Sequence, residues 1–194
     1  MVASRTKSKH VRDFRQSLSM ANFFMPREEK KRTDGLNNEV LIERPSTNSR
    51  KISASCIVNT PLDSVWTILT DYDNLATHVP NLVESRILVN EGVSTVAGDS
   101  KSTARSCRIY QQGAQKIAGF DFSASLIMDM QESLELPGSR LPKRVVSFKL
   151  VQSRFFSEFD GQWTAQVYSR RKISSQCDDY LYTTKLFYEV GYIR

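Results

Sequence analysis

The sequence predicts an α+β domain in which a long antiparallel sheet, reached through one strand and two short helices, curls around an apolar interior. Three observations predict it. Apolar and polar residues alternate with a period of two through much of residues 120–190, the pattern of strands with one buried and one solvated face. Polar or Gly/Pro-containing turns separate those runs, as antiparallel hairpins require. Ahead of them, residues 60–82 follow helical spacing and are punctuated by Pro61 and Pro80.

A chain of 194 residues, 40% of them hydrophobic, has the size of one domain plus a tail and can bury a core. Its longest apolar runs are a few residues, far below the ~20 that a membrane-crossing helix needs. The formal charge of +6 sits mostly at the N-terminus: residues 1–50 carry eleven Lys/Arg against six Asp/Glu, and residues 51–194 sixteen against fifteen. The domain itself is nearly neutral, which argues against nucleic acid as a partner, because neutralising a run of phosphates takes a basic surface. Cys56, Cys107 and Cys177 form no C-x-x-C pair. Zinc and dithiol motifs therefore lack their spacing, and the thiols read as idle in a reducing compartment.

Taken in order, residues 1–25 hold five Lys/Arg, four Ser and a single acid, with Val11, Phe14, Leu18, Ala21 and Met25 on one helical face. A basic, acid-poor amphipathic start reads as an organelle transit peptide, with an ordinary surface helix as the alternative. Residues 26–49 are polar, contain Pro26, Gly35 and Pro45, and read as a linker. Residues 51–58 form the first strand. Thr60 is placed to cap a helix with Pro61 at its first position and Leu62, Val65, Trp66 and Leu69 on its apolar face. Residues 71–82 predict a second short helix stopped by Pro80. Strands follow near 83–89, 107–117, 120–132, 145–152, 162–169 and 180–193. Within them Phe122, Ala124, Leu126, Met128 and Met130 share a face, as do Val146, Phe148 and Leu150, then Trp163, Ala165 and Val167, then Leu186, Tyr188 and Val190.

The segment TPLDSVWTILTDYDNLATHVPNLVESRIL (60–88), with Pro-x-x-x-Val-Trp, Asp-Tyr and a Pro-Asn-Leu-x-x-Ser turn, resembles the START-like superfamily. This superfamily is also called the polyketide cyclase/dehydrase and lipid-transport proteins. IMDMQE (127–132), FDGQW (159–163) and LFYEV (186–190) add to the likeness, which spans roughly residues 50–194 and is nearest to the coenzyme-Q-binding branch and its plant and algal plastid members. The resemblance implies the helix-grip fold and a hydrophobic small molecule as partner, a lipid or isoprenoid quinone, with no cofactor required for chemistry. It favours a plastid (chloroplast) over a mitochondrion. It also implies a long C-terminal helix across the concave sheet. The sequence ends at Arg194, inside the expected last strand, so the chain reads as a domain truncated at its C-terminus. An uncovered apolar face of some hundreds of Å² forfeits on the order of 10 kcal/mol, and a chain without that helix is expected to be marginally stable.

The face used by the superfamily gives the expected pocket lining: Phe122, Leu126, Met128, Phe148, Leu150, Trp163, Leu186 and Tyr188. Tyr110 and Tyr188 are candidate polar anchors, each able to offer a hydroxyl to a quinone carbonyl or lipid headgroup. Tyr72, Leu75, Val79 and Pro80 are expected at the pocket entrance, with Phe155 and Phe156 in the 154–161 connection; of Phe155, Phe156 and Phe159, two are expected to pack inward. Core packing alone is the competing account of all these apolar residues.

Catalytic groups are sparse. His78 lacks a visible partner, Asp71 and Asp73 read as helix-end caps, and the inward parity shows no ionisable cluster. No phosphate loop, metal motif or nucleophile elbow is present. The expectation is a binding or transport protein rather than an enzyme. A meander places loops 90–106, 133–144 and 170–179 at one end, with eight Lys/Arg, among them Arg140, Lys143, Arg144, Arg170, Arg171 and Lys172, against five acids. That end is a candidate contact for an anionic membrane surface. Two alternatives stand: an interaction module meeting a ribosome, RNA or a protein partner through the basic end, and a polyketide cyclase-like enzyme.

Overall fold

Nine antiparallel strands form one sheet in the order β1-β2-β3-β9-β8-β7-β6-β5-β4 in a computed structural model that describes residues 32–34, 38–95, 103–117, 120–134, 142–172 and 180–193. The strands are β1 Arg32–Asp34, β2 Asn38–Ser46, β3 Ser49–Val58, β4 Leu82–Thr95, β5 Thr103–Ile117, β6 Phe120–Leu134, β7 Lys143–Ser153, β8 Phe159–Lys172 and β9 Tyr180–Ile193. Between β3 and β4 lie helices α1, Leu62–Leu69, and α2, Leu75–His78. The targeting segment expected at 1–25 lies outside the described residues.

The meander from β4 to β9 pairs neighbour with neighbour, and β9 then closes onto β3 with Ala54 opposite Tyr188 and Cys56 opposite Leu186. The turns after β4, β6 and β8 fall at one end, as alternation dictates.

The linker expected at 26–49 is corrected over most of its length. Residues 38–46 form a strand paired with β3, Ile42 facing Ile52, and β1 pairs outside it. Its alternation was obscured because Leu41, on the solvent side, is itself apolar and 44% exposed, while Glu43, Arg44 and Pro45 give the run a loop-like composition.

Helix α1 also begins differently from expectation. Pro61, with extended backbone, is the N-cap, and no side chain caps the helix. Thr60 instead gives its carbonyl to the hydroxyl of Thr184, which is buried on β9 and donates across 2.7 Å. Leu62, Val65 and Leu69 bury the inner face of α1 against Ala165 and Leu186, forming one apolar cluster with Val58 and Leu82. The second helix is a single turn rather than the whole of 71–82. Asp71 accepts from the Asn74 amide at 3.0 Å, and Asp73 accepts the Ile87 backbone N–H at 2.8 Å. Because β4 is an edge strand, that carboxylate satisfies a donor that would otherwise be left bare. Asn81, at φ 66°, supplies the left-handed turn into β4.

A second cluster occupies the concave face of the sheet, with Ile109, Val146 and Val190 almost wholly buried and Tyr72, Met128, Phe148 and Phe159 among them. Each such side chain contributes roughly 1.5–3 kcal/mol by leaving water.

Candidate functional site: an apolar hollow on the concave face

A hollow opens between the helical segment and the sheet. Leu69, Tyr72, Leu75 and Val79 form its helical wall. Gln111 of β5, Leu126, Met128 and Met130 of β6, and Val146 and Phe148 of β7 form its floor. Phe159 and Trp163 of β8 and Tyr188 of β9 close the far side. Its cavity volume is about 60 Å³, room for a handful of waters, and it is open to solvent. Aromatic contacts shape that far side: Trp163 and Tyr188 lie 4.4 Å apart between centroids, Phe148 and Phe159 5.5 Å, and Phe148 and Tyr188 6.0 Å.

Five residues expected in the lining are brought together there: Leu126, Met128, Phe148, Trp163 and Tyr188. Three are not. Leu150 packs at the margin of the same cluster, part-buried, without lining the hollow. Leu186 has the right parity, but α1 lies over it and makes it core. Phe122 is on β6, with its side chain outside the described residues. Leu69, Gln111, Met130, Val146 and Phe159 line the hollow without having been expected; parity had already put Met130 and Val146 on the inner face.

At the entrance, Tyr72, Leu75 and Val79 line the hollow and Pro80 stands beside it, half-buried. Phe156 packs on the core and Phe159 is buried within it. Phe155 faces outward, 49% exposed, with the Arg154 guanidinium over its ring.

Tyr110 is corrected as an anchor. Cys107, Ile109 and Gln111 are the buried residues of β5, so Tyr110 points to the convex face, where Arg86 covers its ring and Gln112 accepts from its hydroxyl at 3.2 Å. Gln111 is the inward polar residue instead, its amide donating to Ser85 at 3.3 Å. No Asp, Glu, Lys, Arg or His lines the hollow, but the same parity carries an ionisable group outside it. Glu132, of the same parity as Met128 and Met130, is 7% exposed, with Arg105 at 3.5 Å. Burial pushes its carboxyl above the ordinary range against the pull of Arg105. Beside it sits Tyr72, 1% exposed. Its hydroxyl is close enough to Glu132 for each to shift the other's titration, yet it makes no hydrogen bond of ordinary geometry. Burial first, and then the Glu132 charge, hold the Tyr72 proton on well above the usual phenol range. Burial alone does the same for Tyr188. Cys107, in the same group, is pushed up to about 11, mainly by burial. His78 is half-buried, with Nδ1 unpartnered.

At the turn end, Arg140 lies outside the described residues. Arg144 is committed to an ion pair with Asp63 and to the face of Trp66. Arg170, Arg171 and Lys172 are exposed, Arg170 stacked 3.7 Å from the Tyr180 ring centre. Lys143 is half-buried at the start of β7. Among the described residues no group of His, Cys, Asp and Glu could hold a metal ion, and no helix is long and apolar enough to cross a membrane.

Solved structures share this arrangement. The STAR-related lipid transfer protein of Xanthomonas axonopodis superposes with a TM-score of 0.53 at 13% identity, over 84% of this chain and 80% of that one. Human STARD10 superposes with a TM-score of 0.50 at 10% identity, over 94% of this chain and 66% of that one. The chain has a START-like fold. At these identities the likeness concerns architecture alone. No protein-family model matches the sequence, and no curated protein does. In this START-like domain, α1 and α2 are the helices that cover the concave sheet among the described residues.

Proposed function

We propose that this START-like domain binds an apolar small molecule in the hollow and carries it without chemical change. The observation that supports this reading most is the lining: of its thirteen residues, Gln111 is the one that is neither apolar nor aromatic, the balance of a site that selects by shape and hydrophobicity. A lipid or an isoprenoid quinone fits that lining and agrees with the resemblance of residues 60–88. The ligand fills the cavity and extends through its open mouth, since ordinary ligand sites occupy roughly 300–1,000 Å³. The exposed Arg170, Arg171 and Lys172 support transfer at an anionic membrane surface, and the composition of residues 1–25 supports an organelle, plastid ahead of mitochondrion.

The test is extraction of the purified full chain into organic solvent, followed by mass spectrometry, with the Met128→Trp variant as control. An apolar molecule present in the wild type and lost on filling the hollow supports the reading. A wild type that carries none, and that takes up none from vesicles doped with a long-chain quinone or a phospholipid, overturns it.

A further inference from the structure

The far side of the hollow is built of rings in contact with one another. Phe148 lies over Gly161, its partner across the β7–β8 pair, where the absence of a side chain leaves room for the ring. From there the rings follow one another at shallow angles. Phe148 is inclined by 30° to Phe159 and by 21° to Tyr188, and Tyr188 lies against Trp163 at 40°. All four line the hollow, and Met128 and Met130 bring thioethers to the floor beside them. Filling a strand face calls for no such set: aliphatic side chains of the same volume pack as well, and they need no glycine in mid-strand, where it weakens the sheet.

Aromatic rings attract one another beyond the hydrophobic gain, through the negative face and positive edge of each, at centroid separations of roughly 4.5–7 Å. Thioether sulfur adds a favourable contact at a ring edge. A saturated ring or chain gains only the hydrophobic part from either. We propose that this side of the hollow is a stacking surface, and that the buried part of the ligand is a flat conjugated ring rather than a saturated ring or an acyl chain. Trp163 sets the preference. Phe148, Phe159 and Tyr188 are buried, whereas Trp163 is part-buried, so its ring keeps surface for a ligand to cover. This inference rests on the reading of the hollow as a ligand site and narrows the class of its occupant.

Naphthalene and decalin share one fused two-ring carbon skeleton, flat and conjugated in the first, saturated in the second. Headspace chromatography over the full-length chain measures the binding of both. Trp163→Leu is expected to shift their affinity ratio about two- to tenfold towards decalin. Leucine keeps the site apolar, so the general hydrophobic gain remains for both probes. Tyr188→Leu, read by the same ratio, is the second variant. Should neither variant fold, the proton spectrum of naphthalene bound to the wild type decides, because stacking on ring faces moves its signals upfield. If both probes bind and the ratio holds in the variants, or the naphthalene signals do not move upfield, the stacking surface is refuted while the hollow stands as a ligand site. If the wild type binds neither probe, the ligand reading fails and the stacking surface with it.

Discussion

The ring of Phe148 stands where a side chain on Gly161 would have to go: a methyl group added there would lie 2.7 Å from Phe148 Cζ and 2.1 Å from the Glu189 carbonyl oxygen. The register slips between Asp160 and Gly161 as β8 runs along β9, and the missing side chain lets β9 and the Phe148 ring close in at that point. Gly161→Ala is expected to destabilise the domain by about 2–4 kcal/mol, because the obstruction is partly backbone and cannot swing aside. Urea unfolding measures it; a loss under about 0.5 kcal/mol, the range of a neutral surface change, would show that the sheet relaxes freely.

Glu132 gives stability a pH dependence of a definite sign. Its carboxyl is raised in the folded state, so the native protein holds that proton more tightly than the unfolded chain does. Its contribution is greatest below the ordinary carboxylate pKa, declines as pH rises through the raised value, and is flat above it. Glu132→Gln should remove this slope and gain stability relative to wild type as pH rises towards neutrality. Asp129, lowered by its hydrogen bonds from Arg108, carries the opposite slope, with stability lost as pH falls. Unfolding midpoints of both proteins across the acid-to-neutral range give the comparison. Parallel curves would mean that Glu132 titrates alike in both states.

Cys107 is 2% exposed and its thiol is pushed up to about 11. At neutral pH it is a protonated, shielded sulfur and a poor nucleophile. Iodoacetamide should leave it unmodified in the native protein and label it readily in denaturant, as peptide mass spectrometry can read. Rapid labelling of the folded chain would contradict its placement.

On the convex face, Arg108 donates to both oxygens of Asp129 directly across the strand pair, at 2.6 and 2.9 Å. Both side chains are substantially exposed, so solvent screening holds the bidentate pair to the small contribution of a surface ion pair. Asp129→Asn should cost no more than that, and less in high salt. A larger, salt-independent loss would assign the pair a structural role.

The sheet was legible where strands alternate cleanly. Met128, Phe148, Trp163 and Tyr188 declare one face by parity, and all four meet in the hollow. Strand β5 was not legible in this way. Its inward residues are Cys107, Ile109 and Gln111, so reading Tyr110 inward went against the parity of its neighbours; that Gln111 is satisfied inside by Ser85 of β4 is something no local pattern reveals. Leu186 shows the second limit. Parity separates inside from outside, but only the path of α1 decides that Leu186 is covered by a helix while Tyr188, two residues on, lines a cavity. Glu132 shares the Met128 register, but parity alone does not show that a charge there is buried. The meeting of Tyr72 with Glu132 joins two segments sixty residues apart, and neither signals the other.

The bond from the Ile87 N–H to Asp73 ties the rim of the cavity to the border of the sheet. The residues that wall the mouth, Tyr72 and Leu75, flank the same aspartate that shields β4. Any displacement of this segment would break that bond and bare the Ile87 N–H at the border of the sheet. An edge bared in this way is a template on which the strand of another chain, a second copy included, can pair.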